Sequence, residues 1–209
     1  MFKLNPLRIG SKTKLNRIGN AMGFSRILGL LVLVVVILIP TYVSKYQQKQ
    51  YRNFRVVKSG VLYRSGQMTP IGLKKVVDEY HIKAIVSLRD SYNSEAPPDV
   101  QEEAFAREYG VKYLRLSPKK WDSETGEPPV MENIRQYFKL MSNSENYPVL
   151  VHCFAGIHRT GSYCALYRME YEKWSNEKAI SELKRLGYDQ LESEKDVYKF
   201  LNEFKPSLR

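Results

Sequence analysis

The rhythm of apolar and polar positions changes along the chain. Residues 27–44 carry no charge, and their centre, 30–39, is apolar without interruption. A helix of that length spans about 27 Å at ~1.5 Å per residue, close to the hydrocarbon thickness of a bilayer. Arg26 and Lys45 flank the run and can reach headgroups, and Tyr42 and Tyr46 suit the interface. A buried core helix would show polar positions at helical spacing, and a secretory leader would have a shorter basic lead and a small-residue cleavage site. This segment has neither, so it is expected to be an uncleaved single-pass anchor.

After a polar stretch at 45–53, which reads as a linker, short apolar runs alternate with amphipathic ones. The runs at 54–57, 61–64, 84–88, 113–116 and 148–152 predict strands. Thr69 as a cap with Pro70 in the first turn predicts a helix to Tyr80. Further helices are expected at 99–108, 131–141, from near Thr160, at 176–186 and at 193–204, with a Pro-rich and charged loop at 117–129. Strands alternating with helices predict an α/β domain over 54–205, a mostly parallel central sheet flanked by helices.

Charge sharpens the division. The chain of 209 residues has a formal net charge of +11, and no acidic residue precedes Asp78. Residues 1–77 carry +14 and residues 78–209 carry −3. The basic excess brackets the apolar run, which favours a membrane surface over nucleic acid. Within 20 residues of the run, basic side chains are nearly balanced on the two sides, so the positive-inside rule leaves orientation open. Two cysteines build no disulfide framework, and no zinc-ligand spacing is present. The body is about 160 residues, the size of one domain.

One stretch carries chemistry. The strand ending at His152 runs into Cys153-Phe154-Ala155-Gly156-Ile157-His158-Arg159-Thr160-Gly161 and then a predicted helix. A loop entering a helix turns its N–H groups inward and gains the positive end of the helix, which makes a cradle for a tetrahedral dianion. Arg159 can clamp two oxygens at once, the same field lowers the Cys153 thiol pKa, and Thr160 can donate its hydroxyl to the thiolate. Sulfur is then placed to attack phosphorus. A lone buried cysteine would be inert packing, but the joint spacing points to catalysis. Cys164 fits either a packed core thiol or a resolving thiol, and His158 fits the rim of the site better than a metal site.

The pattern of His-Cys, five residues, Arg and Thr resembles the cysteine-dependent protein tyrosine phosphatase superfamily, and the chain looks similar to its compact dual-specificity-like branch. Residues 54–57, 62–67 and 85–89 are similar to the opening strands of bacterial and atypical members. The resemblance implies Cys153 as nucleophile, Arg159 as phosphate clamp and Thr160 as thiolate partner. It also implies a substrate-binding cradle from Phe154, Ala155, Gly156, Ile157 and His158, with His152 orienting the loop from behind. The family needs a general acid on the loop between the preceding strand and helix, here 117–129. Asp122, after Trp121, is the expected acid, with Glu124 and Glu127 as competitors on the same loop.

The neutral side chains of Phe154, Ala155 and Ile157 offer no cations for extra phosphates, which favours a phosphorylated protein, above all phosphotyrosine. The anchor favours a lipid head group instead. An inactive phosphate-binding module at the membrane is a third reading, opposed by the intact Cys153, Arg159 and Thr160. No metal, organic cofactor or nucleic acid is expected.

Overall fold

The structure, a computed structural model, describes residues 26–90 and 99–207. The basic segment expected at 1–26 therefore lies outside the described residues except for Arg26. The chain divides into two compact units, Met1–Gln47 and Gln48–Arg209.

Helix α1 spans Arg26–Tyr51 and is long and apolar enough to cross a membrane, with its apolar window exposed. It widens into a π-turn at Val34–Leu38, where the Ile39 N–H donates to the Val34 carbonyl. Pro40, two residues past that turn, has no N–H to give and crowds the carbonyl one turn back, which accounts for the wider turn. The stretch at 45–53, read as a linker, is helical to Tyr51. Its Lys, Gln and Tyr residues are polar, yet none of them stops a helix.

The second unit is built on a five-stranded sheet. Its strands are β1 (Arg55–Lys58), β2 (Leu62–Ser65), β3 (Ala84–Ser87), β4 (Lys112–Arg115) and β5 (Val149–His152). The order is β1-β2-β5-β3-β4, with β1 antiparallel to β2 and the other pairs parallel. The helices are α2 (Pro70–Tyr80), α3 (Val100–Glu108), α4 (Val130–Met141), α5 (His158–Tyr171), α6 (Asn176–Arg185) and α7 (Lys195–Glu203). Thr69 caps α2 as expected, its hydroxyl accepting from the Gly72 N–H at 3.1 Å.

Period-two alternation decides what packs on each face of the sheet. Leu62, Val86, Val149 and Val151 meet Tyr137 of α4 and Tyr163 and Tyr167 of α5. Tyr63, Ile85 and Leu150 meet Leu73, Val76 and Val77 of α2 and Ala106 of α3. A further cluster joins α5 to α6 and α7 through Leu166, Met169, Ile180, Leu183 and Leu201. Helix α5 is thus buried on nearly all sides, with Tyr163, Leu166, Tyr167 and Met169 all packed in the interior.

The central strand β5 sets the site. Register places Ser65, His152 and Ser87 level with one another at the carboxyl ends of β2, β5 and β3. The loops that leave these three strands therefore share one edge, where α/β sheets open a crevice.

Candidate active site

The chain leaves β5 at His152, turns through 153–157 and enters α5 at His158. The carbonyls of residues 154–157 each accept from a donor outside the turn. The Phe154 carbonyl accepts from the Gln67 N–H at 2.9 Å. The Ala155 carbonyl accepts from Asn53 Nδ2 at 2.9 Å. The Gly156 and Ile157 carbonyls accept from Arg64 Nη2 at 2.8 and 3.4 Å. With the carbonyls held outward, the amides of the loop are free to face the other way, toward an anion.

Two glycines allow this close fit. Gly156 has φ +76°, and a Cβ there would lie 2.3 Å from the Gly66 nitrogen. A Cβ on Gly66 would lie 2.7 Å from the Phe154 carbonyl oxygen. No other residue type can occupy either position without moving backbone.

Cys153 is buried, and its Sγ accepts from the Gly156 N–H at 3.2 Å. Burial alone would push the thiol up. Hydrogen bonds from the Thr160 hydroxyl, the Thr160 N–H and the Gly156 N–H, with the charge of His152, outweigh it and hold the thiol below its ordinary range. Cys164 lacks such donors, and burial pushes it up to about 11, the behaviour of a packed core thiol. Thr160 is fully buried, and its hydroxyl also lies 3.5 Å from the Ser65 carbonyl. The Arg159 Nη1 reaches the Leu88 carbonyl at 3.4 Å, which brings the guanidinium to the same sheet edge.

Phe154, His158 and His152 adjoin this centre, whereas the loop that carries Asp122 is placed by contacts of its own. Phe154 is 55% exposed at the mouth. His158 is exposed and stacks on Tyr188 with ring centroids 4.4 Å apart. His152 is buried beside Cys153 and against Glu102. Asp122 is exposed, and its neighbour Trp121 is anchored edge-on against Tyr163 and Phe200. The base of that loop is tied by the Val130 N–H to the Lys120 carbonyl at 3.0 Å and by Asn133 Nδ2 to the Ser117 carbonyl at 2.7 Å. Glu127 is engaged by Arg135 at 2.7 Å, while Glu124 is exposed.

Sequence reasoning missed the outer ring of Asn53, Arg64, Gly66, Gln67 and Glu102. Arg64 and Gln67 had a usable signal, since they flank a turn at the end of a strand beside β5. Asn53 and Glu102 had none, because only the tertiary fold brings them to the loop. Arg52 and Arg89 were also unforeseen. Their guanidinium carbons lie 3.8 and 4.9 Å from the Phe154 ring centroid.

Residues 36–199 match the family described as "DSP-PTPase phosphatase fused to NAD+ Kinase". The chain is 29% identical over 135 residues to the inositol diphosphatase DSP4 of Arabidopsis thaliana, covering 65% of this chain and 64% of that protein. It is 29% identical over 114 residues to the tyrosine-protein phosphatase-like protein OCA2 of Saccharomyces cerevisiae, covering 54% of each. The chain thus spans between half and two thirds of the length of these curated relatives. In fold it is similar to Pseudomonas aeruginosa TpbA crystallised with phosphotyrosine, with TM-score 0.56, 19% identity, and coverage of 75% of this chain and 86% of that one. The match over most of the chain places it: the protein belongs to the DSP-type protein tyrosine phosphatase family.

Proposed function

We propose that this chain is a phosphatase that hydrolyses phosphomonoesters, chiefly protein phosphotyrosine, through a phosphocysteine on Cys153. The observation that carries this reading is the loop itself. Cys153, its thiol lowered by hydrogen bonds from Thr160 and Gly156, opens a turn whose 154–157 carbonyls accept from donors outside it, with Arg159 just beyond.

In the first step the Cys153 thiolate attacks phosphorus while the ester P–O bond breaks. Amides of 154–159 and the Arg159 guanidinium take the charge of the equatorial oxygens. Asp122 gives its proton to the leaving oxygen, and its carboxylate then takes a proton from the water that attacks the phosphocysteine. The departing thiolate is received by the Thr160 hydroxyl. His152 acts behind the loop and touches no substrate. No metal is called for, because sulfur supplies the nucleophile and the loop supplies the charge.

A second reading, a phosphorylated inositol or lipid head group, draws support from Arg52 and Arg89. They bring cations to the mouth that the neutral loop side chains do not provide. The test is turnover by the full chain, in detergent and then in anionic vesicles, with EDTA present. The first reading expects a phosphotyrosine peptide to be hydrolysed with higher kcat/KM than a phosphoinositide. The reverse order would favour the second, and no turnover of either would leave an inactive phosphate-binding module.

A further inference from the structure

Behind the phosphate loop lies a buried pair, His152 and Glu102, and the chemistry above gives Glu102 no role. His152 Nε2 is 2.5 Å from Glu102 Oε1 of α3, with side chains 2% and 6% exposed. The other ring nitrogen, Nδ1, is 3.4 Å from the Cys153 carbonyl oxygen. Nε2 makes no aligned hydrogen bond to this carboxylate, so the pair acts through charge at close range, which favours the imidazolium.

We propose that Glu102 is a positioning residue that keeps His152 in its doubly protonated form behind Cys153, and so sets the thiolate content of the nucleophile. The proposal rests on Cys153 being the nucleophile, and it adds an element, α3, that never approaches substrate through this contact.

The surroundings of Glu102 suit the task. Its carboxylate accepts from Gln67 Nε2 at 3.3 Å, and the Tyr113 hydroxyl, whose shorter bond goes to Asp99, lies 3.3 Å from it. The start of α3 is held by Asp99, whose buried carboxylate accepts from the Tyr113 hydroxyl at 2.6 Å, from Arg115 Nε at 3.0 Å and from the Ser87 hydroxyl. Arg115 also pairs with Glu103 at 2.8 Å. The charged and titratable groups of this face are therefore Asp99, Glu102 and Glu103 from α3 and its cap, Tyr113 and Arg115 from β4, and Cys153 beside the ring.

Signs follow from the geometry. Burial disfavours a charged imidazole, yet the Glu102 carboxylate reverses this and raises His152 above its ordinary value of 6.5. The resulting cation in turn favours the Cys153 thiolate. Remove the carboxylate's charge and the ring loses its main support for the charged form, so the thiol rises.

The experiment reads the thiol without needing turnover, so it fails or succeeds independently of the phosphatase reading. Cys153 in the full chain is alkylated with iodoacetamide across pH 5–9, and its peptide is quantified by mass spectrometry. Glu102→Gln keeps size and hydrogen bonding but loses the charge. It is expected to move the alkylation midpoint up by about one unit, a roughly tenfold loss of thiolate below the midpoint. Glu103→Gln, on the same helix but paired to Arg115, is expected to leave the midpoint in place. A Glu102→Gln profile that superimposes on the native one overturns the proposal. Should that variant not fold, ¹⁵N chemical shifts of His152 in the native chain decide. Two protonated ring nitrogens at pH 7.5 support it, and a single one overturns it.

Discussion

Arg159 and Asp122 pose different questions at the scale of single residues. Arg159 lies at the sheet edge through its contact with Leu88, and a planar fork is what fits two phosphate oxygens. Arg159→Lys keeps the charge and loses the fork, so it should lose most of the activity while the chain stays folded. Near-native kcat/KM in that variant would place Arg159 away from the phosphate. Asp122 is exposed beside the anchored Trp121. If it protonates the leaving oxygen, Asp122→Asn should slow phenyl phosphate esters by roughly 10²–10⁴-fold. Esters with strongly acidic leaving groups, which need no proton, should be slowed far less. Glu124→Gln showing that leaving-group pattern in its place would move the acid two residues along. The spacing of Cys153, Arg159 and Thr160 was legible from sequence because all three lie close together along the chain, in one turn and the first residues of the helix it enters. The partners of the loop carbonyls were not, because Asn53, Arg64 and Gln67 arrive from residues about 90–100 positions away.

Among elements, strand and helix positions were readable to within a residue or two, since short apolar β-type runs mark the strands and caps and apolar positions at helical spacing mark most of the helices. The exception is instructive. Polarity at 45–53 suggested a linker, yet a polar sequence without Gly or Pro continues a helix already nucleated upstream, as α1 does to Tyr51. Helix α3 has a testable dependence on pH. Burial would raise Asp99, but hydrogen bonds from Ser87, Tyr113 and Arg115 bring its carboxyl below the ordinary 3.8. A depressed carboxyl contributes stability fully above its unfolded value, and that contribution is lost as pH falls through the folded one. Asp99→Asn should therefore destabilise the chain at pH 7 by about 1.5–3 kcal/mol in urea unfolding. The difference from the native chain should shrink below pH 4, and a difference that does not change with pH would contradict the assignment.

For the whole molecule, charge and hydropathy separate a basic, apolar amino-terminal part from a mildly acidic body. The helix Arg26–Tyr51 has the length and composition of a span. The full chain should therefore stay with membranes through a carbonate wash, and release by high salt alone would reduce α1 to peripheral binding. The central claim concerns Cys153, on which sheet register, outward carbonyls and the buried His152–Glu102 pair converge. Its most direct test is rapid acid quenching of the full chain during turnover of a phosphotyrosine peptide with EDTA present, followed by mass spectrometry of the Cys153 peptide. The account predicts phosphate on the Cys153 sulfur, and none in Cys153→Ser, whose turnover should fall to background. Turnover that continues in Cys153→Ser, or a native chain that hydrolyses the peptide with no phosphate ever trapped on sulfur, would contradict it.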